Sequence, residues 1–211
     1  MATLLDQINA VTALNVRSIP QRGWMSAASV IAVALTITVL LFFLALANGL
    51  RATVEGSGSE DVAIVIREGS NAELNSVVTR DQLAILATGP NVAQRNEAPL
   101  ISGELLVIVD GVKRSTGTNA NMPFRGIGQE GLALRRGVTI TRGRMFNPGT
   151  NEIVVGAGLL REFSGFEFGQ TIRIRGSDWQ VVGVFEAPGT VFESELWADI
   201  AVTQSLFNRP N

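Results

Sequence analysis

Cysteine, histidine and tyrosine are all missing from the 211 residues, and lysine occurs once, at Lys113. Without cysteine there is no disulfide framework, no thiolate nucleophile and no Cys-type zinc site. Without histidine the usual general base, the triad imidazole and the commonest metal ligand are gone. Any chemistry would have to run on carboxylates, hydroxyls or arginine. Charge is sparse as well: charged residues make up 17% of the chain and the formal net charge is -2. No basic field of the kind that binds nucleic acid is present. Hydrophobic residues reach 46%, and they are unevenly spread.

Residues 25–48 read MSAASVIAVALTITVLLFFLALAN, 24 positions without a charge, bracketed by Arg22 and Arg51. As a helix this run is about 36 Å long, enough to cross a hydrocarbon core of about 30 Å with some tilt. Its first half is small (Ser26, Ala27, Ala28, Ser29, Ala32, Ala34) and its second half bulky (Leu40, Leu41, Phe42, Phe43, Leu44), a division that suits a partner helix near the first half and lipid near the second. Ala45-Leu46-Ala47 matches the A-x-A pattern of a signal-peptide cleavage site, but the run far exceeds an apolar signal core of about 7 to 15 residues. Ahead of it, Leu4, Ile8, Val11, Ala13 and Leu14 recur at helical spacing and stop before Pro20, predicting a leader helix on a membrane surface or against a partner. Arg17 and Arg22 precede the span while Arg51 alone closely follows it, so the positive-inside tendency puts the leader in the cytoplasm and residues from about 51 outside.

Beyond the span, Glu55-Gly56-Ser57-Gly58-Ser59-Glu60 reads as a flexible linker. The β-branched run at 62–66 predicts a strand, and Thr79 with Gln82 a capping box for a helix through Ala87, stopped by Gly89-Pro90. Residues 105–109, Asp110-Gly111 and Val112 predict a hairpin with a two-residue turn, followed by a polar loop at 116–122. Residues 153–155 predict a strand, 157–163 a short helix and 165–169 a turn. Two strands, 171–175 and 179–185, then return on each other about a turn at Gly176-Ser177-Asp178, with Ile172, Ile174, Trp179, Val181 and Phe185 on one buried face. No exact internal repeat is visible.

Several local patterns suggest chemistry and fall short of it. Gly126, Gly128 and Gly131 spell G-x-G-x-x-G, but Asn121-Met122-Pro123 precedes them and Arg135-Arg136-Gly137 interrupts the segment downstream. A glycine-rich turn between strands fits better than a dinucleotide site. Arg135, Arg136, Arg142 and Arg144 could hold an anionic lipid or phosphate, yet Leu132, Leu134, Val138 and Ile140 between them point to solvated strand edges. Glu193, Glu195 and Asp199 around Trp197 read as surface or subunit-contact residues rather than a carboxylate pair for acid and base work, since no partner base or ligand-loop spacing accompanies them. Ser164 lacks the nucleophile-elbow pattern. No catalytic, cofactor-binding or metal-ligating residue is therefore assigned, and the chain is expected not to be an enzyme.

Two stretches carry a resemblance. ALNVRSIPQRGWMSAASVIAVALTITVLLFFLALANGL is similar to the first membrane helix of FtsX/MacB-like ABC-transporter permeases with its arginine-bearing approach. The later stretch resembles that family's periplasmic core more specifically: Gly143-Arg144, the Glu-Ile-Val-Val-Gly segment at 152–156, Gly-Gln-Thr-Ile at 169–172 and Val-Val-Gly-Val at 181–184 occur in the family's order. The resemblance implies a permease subunit that couples ATP-driven motion to an extracytoplasmic domain, for export or mechanotransmission. It implies a partner ABC ATPase that binds the ATP, a second permease subunit (homo- or heterodimer), the lipid bilayer and a periplasmic adaptor as partners, and the bacterial plasma (inner) membrane as location.

The expected fold is α+β: a cytoplasmic amphipathic leader (1–22), a transmembrane helix (23–50), a linker (51–60) and a periplasmic-type core domain (61–211) incomplete at its C-terminus. The family continues into three further membrane helices, so the chain is expected to be a front half. A domain without its closing strands leaves a strand edge unpaired and apolar surface uncovered. The alternative is a single-pass anchored binding module that needs no ATPase.

Overall fold

The computed structural model describes residues 4–18, 23–57, 59 and 61–210. Pro20, Arg22, Gly58 and Glu60, used above for a helix stop, an orientation charge and the linker, lie outside the described residues. The chain divides into two compact units, Met1–Arg51 and Ala52–Asn211.

In the first unit, α1 (Leu4–Ser18) has Asp6 in its first turn and Arg17 in its last, charges that complement the helix dipole. Its apolar residues Leu4, Ile8, Val11 and Leu14 are exposed. Helix α2 (Gly23–Ser57) runs past the end expected for the span, so residues 51–57 are helical where a flexible linker was predicted. The stretch Gly23–Ala52 is long and apolar enough to cross a membrane. Its hydroxyls are satisfied within the helix: Ser29 donates to the Met25 carbonyl, Thr36 to that of Ala32 and Thr38 to that of Ala34, so none of these three donors needs water.

The second unit opens with a correction. Residues 62–66 form no strand ladder; only an isolated bridge joins Ser59 to Val62, and Ile64 and Val65 are exposed. β-Branched composition reports fitness for a pleated, half-buried surface, and without a neighbouring strand it has nothing to pair with. A 3-10 turn at Glu73–Asn75 leads to α3 (Arg80–Ala87), which carries the expected capping box: the Thr79 hydroxyl accepts from the Gln82 amide, and the Gln82 side chain accepts from the Thr79 amide. Two short strands, β1 (Gln94–Arg95) and β2 (Ala98–Pro99), pair with each other.

The main sheet is built from β3 (Glu104–Lys113), β4 (Asn119–Ile127), β5 (Thr139–Gly143), β6 (Glu152–Gly156), β7 (Phe163–Ser164), β8 (Thr171–Ile174), β9 (Ser177–Glu186) and β10 (Leu196–Asp199), with α4 (Ala157–Glu162) between β6 and β7 and α5 (Ile200–Phe207) after β10. Spatial order is β5-β9-β6-β10-β4-β3-β7, with β8 paired to β9. The sheet is mixed: β9 with β6 and β10 with β4 run parallel, the other neighbours antiparallel. Both faces are covered, as parallel neighbours require. Phe124, Trp179, Leu159 and Leu196 pack on one face with Val202, Leu206 and Phe207 of α5; Trp197, Phe185, Val154 and Ile127 pack on the other.

Three predicted details move. Asp110-Gly111 is not a turn: β3 runs on to Lys113, and β4 absorbs residues 119–122 of the expected loop. Gly111 is there for space, since a Cβ would lie 2.8 Å from both Met122 Sδ and Phe163 Cδ1. The β8–β9 turn is Arg175-Gly176, both at positive φ, the signature of a two-residue type I′ hairpin. Phe185 joins the second core, not the face of Trp179 and Val181. The cause is a bulge in β9, where Ile153 pairs with Val181 but Val154 with Gly183; the extra residue inverts the alternation beyond it.

Outward of β3 the sheet is open. Only Val112 and Lys113 pair with β7, and among the described residues no strand covers the rest of that edge. On the opposite side Gly126, first of the G-x-G-x-x-G glycines, sits under α5, where a Cβ would lie 2.8 Å from Thr203 Cβ and 3.1 Å from Ile200 Cα. Replacing Gly126 by alanine is expected to cost about 1–3 kcal/mol by overpacking. Denaturant unfolding followed by the fluorescence of the buried Trp179 and Trp197 checks this; an unchanged midpoint would show that α5 moves off freely.

Candidate functional site: a buried guanidinium and carboxylate cluster

Arg125 occupies the middle of the sheet, on β4, directly opposite Leu106 of β3 and Trp197 of β10. Its side chain is 4% exposed, and a buried charge survives only when paired and hydrogen-bonded. Three carboxylates meet that need. Glu195 accepts two bonds, from Nε and Nη2, each 2.8 Å; Glu73 and Glu104 accept from Nη1 at 2.5 and 3.0 Å. The planar guanidinium suits this fork where a lysine would not.

A second buried arginine extends the cluster. Arg135 grips both oxygens of Glu104, from Nη1 at 2.7 Å and Nη2 at 2.5 Å, and also donates to the Gly131 carbonyl. Its guanidinium lies over the rings of Phe192 and Trp197, 4.8 and 5.1 Å from their centroids, a favourable cation–π placement. Trp197 stacks on Phe185 at 4.1 Å and donates its indole N–H to Glu195 at 2.7 Å. Three carboxylates thus face two guanidiniums, tied into an aromatic wall.

The electrostatics follow from that geometry. Burial works against the Glu104 carboxylate, but the hydrogen bond and charge of Arg135, with the charge of Arg125, hold its pKa below the ordinary range. For Arg125 burial disfavours the charged form, and the hydrogen bonds and charge of Glu195, joined by the charges of Glu73 and Glu104, more than reverse this and raise its pKa. At the surface, the Arg144 guanidinium binds both oxygens of Glu152 and, with the Asn147 amide, pulls its pKa to about 2.

The sequence-level assignments for these residues need correction. Glu195 and Asp199, expected at the surface, are buried, because β10 is a central strand covered on both faces. Asp199 caps α5, accepting from the amides of Ala201 and Val202. Glu193 pairs with Arg161 at 3.1 Å. The four arginines read as one solvated set disperse: Arg135 into the core, Arg136 onto Asp61, Arg142 over Phe168, Arg144 onto Glu152. The Ser164 hydroxyl donates to the Val112 carbonyl. Among the described residues no group of acidic side chains is placed to hold a metal ion; the carboxylates that converge do so on arginine. Arg125, Glu104 and Glu73 were not anticipated. The available signal was Arg125 itself, a lone charge inside the apolar strand Met122-Pro123-Phe124-Arg125-Gly126-Ile127.

A helix long and apolar enough to cross a membrane thus precedes an α+β domain with a charged core. The family match makes the class specific. Residues 26–210 match the MacB-like periplasmic core domain, and the chain belongs to that family, a component of ABC-type transporter permeases that work with ATPase partners. Solved structures similar to it include the extracellular domain of the noncanonic ABC-type transporter YknZ from Gram-positive bacteria, at 16% identity and TM-score 0.42, covering 62% of this chain and 67% of that one. The periplasmic region of MacB from Actinobacillus actinomycetemcomitans is similar at 12% identity and TM-score 0.38, covering 58% of this chain and 55% of that one. No curated protein matches the chain.

Two outcomes test the cluster. Arg125→Met strands buried carboxylates and is expected to cost about 3–5 kcal/mol, whereas Arg125→Met combined with Glu195→Met regains part of that loss; a double-mutant cycle from denaturant midpoints measures the difference. Glu104 and Glu152 are held below the ordinary carboxyl value of 4.5 when folded, so their contribution is present above that value and is lost as pH falls through the lower folded values. Stability should decline from about pH 5 toward pH 2, and Glu152→Gln should flatten that decline.

Proposed function

We propose that this chain is the N-terminal portion of a permease subunit of the FtsX/MacB type, coupling motion driven by a partner ATPase to a domain across the membrane. The observation that carries this reading is that one family match, residues 26–210, takes in both the apolar helix and the sheet domain. In this arrangement α1 lies at the cytoplasmic face of a bacterial plasma membrane, α2 spans it, and the sheet domain works outside. ATP is bound by the partner ATPase, and this chain contributes no catalytic, cofactor or metal ligand. A second permease subunit completes the membrane unit, and a periplasmic adaptor meets the outer domain.

The sheet domain is suited to transmitting force. Arg125 joins four separate segments through charged hydrogen bonds, and both sheet faces are packed with large side chains. Such a body moves as a unit because close-packed interiors transmit strain rather than absorb it.

Orientation and partnership are tested together, and the absence of cysteine makes the first direct. Single cysteines placed at Asn9 in the leader and Gln170 in the sheet domain should differ in intact cells: a membrane-impermeant maleimide labels the Gln170→Cys chain and spares the Asn9→Cys chain until the membrane is opened. Cross-linking in native membranes should then recover an ABC ATPase with the chain. Retained activity after exchange of residues 23–50 for an unrelated span, with no ATPase recovered, would instead establish an anchored interaction module.

A further inference from the structure

The open edge of β3 borders a groove of about 650 Å³. In β3 the Lys113 amide donates toward β4, to Thr118, while the Arg114 amide donates away from it, to Glu162. Backbone groups of a strand alternate in direction, so the amides and carbonyls of Leu106, Ile108 and Asp110 point out into the groove. Pro123, opposite Ile108, fits this alternation, because that position of β4 donates nothing toward β3. Three consecutive outward positions with no partner strand among the described residues are a template for strand addition.

The groove's walls differ in chemistry. On the side of α5 and β8 stand Arg173, Arg175 and Arg209. Arg175 is held in the β8–β9 turn with its guanidinium 4.9 Å from the centroid of Phe207. The backbone of Arg209 is tied to the end of α5, its amide donating to the Gln204 carbonyl. Among the described residues neither Arg175 nor Arg209 forms an ion pair with a carboxylate, and Arg173 reaches Asp178 only at 4.0 Å. The other wall shares the face of Arg125 and is apolar, from Leu74 and Ile108, with Asp110 at its end.

We propose that this edge binds an extended, acidic segment of a partner protein, added to the sheet as a strand beside β3. An extended segment alternates its side chains, so one set of carboxylates faces the three arginines while aliphatic residues between them cover Leu74 and Ile108. The edge from Leu106 to Asp110 accommodates about five to seven residues at roughly 3.3 Å each. A second copy of this chain presenting its own β3 would bring like arginine walls together, which charge disfavours. The groove's chemistry does not depend on coupling to an ATPase.

The test uses the full chain in a neutral detergent and a fluorescent seven-residue peptide alternating glutamate and valine, read by anisotropy. The acidic peptide should bind, its lysine-for-glutamate counterpart should not, and methylation of alternate peptide amides should abolish binding. Arg175→Glu with Arg209→Glu should weaken it about tenfold or more, as should Ile108→Pro, which removes an outward donor without touching the bonds to β4. If Ile108→Pro perturbs the near-ultraviolet circular dichroism, the arginine pair and the methylated peptide decide the matter. Equal binding of both peptides, indifference to the arginine reversals, or no binding of the acidic peptide overturns the proposal. So does a peptide-free oligomer that Ile108→Pro dissociates, which would assign the edge to a second copy, and so does loss of peptide binding in a longer chain that continues past Asn211, which would assign it to the rest of the same chain.

Discussion

A single guanidinium holds the sheet domain to one arrangement. Arg125 takes carboxylates from three places far apart in the chain: Glu73 in the segment leading to α3, Glu104 at the start of β3, and Glu195 just before β10. The arginine is tolerable in the core because the carboxylates are there, and Glu195 most of all because the arginine is; Glu104 is also gripped by Arg135 and Glu73 is only partly buried. Four charged groups that must meet within hydrogen-bonding distance fix which parts of these segments lie together.

Around that cluster the sheet solves a second problem, that of being covered on both sides. Strands β6 and β10 place successive residues in opposite cores, so neither has a solvent face. The bulge in β9 then shifts which residues serve which core, bringing Phe185 against Trp197. Gly126 lets α5 lie close against the first core, and Asp199 starts that helix directly from the end of β10. Strand end, helix cap and charged cluster fall within residues 195–199, which explains why that short stretch is so acidic while so deeply buried.

Much of this is legible in the sequence alone. The apolar helix, the capping box at Thr79, the strand read at 153–155 and the returning pair read at 171–175 and 179–185, each found within a residue or two, come from periodicity and local chemistry, which depend on neighbours in sequence. What fails depends on neighbours in space. Asp110-Gly111 has turn composition, yet Gly111 is set by Met122 and Phe163 pressing on it. Residues 62–66 have strand composition and no partner strand. The acids around Trp197 look solvated because acids usually are; only the sheet order shows that β10 is central, and it is Arg125, some seventy residues earlier in the chain, that with the Trp197 indole offsets the cost of burying Glu195. The one-residue bulge that moves Phe185 has no composition signature at all.

The sheet order also sets a timetable for the chain's folding. Among the described residues β10 is the latest strand in sequence yet lies in the middle, joining β6 on one side to β4 on the other. Until residues 196–199 emerge, β3 with β4 and β5 with β9 and β6 are two separate half-sheets, each with a raw inner edge. Pairings between β4 and β10 close a loop of some seventy residues, a separation that slows folding and lengthens the time those edges stay exposed. A domain delivered from its N-terminus must therefore hold its two halves apart and unstuck until residues 196–199 arrive.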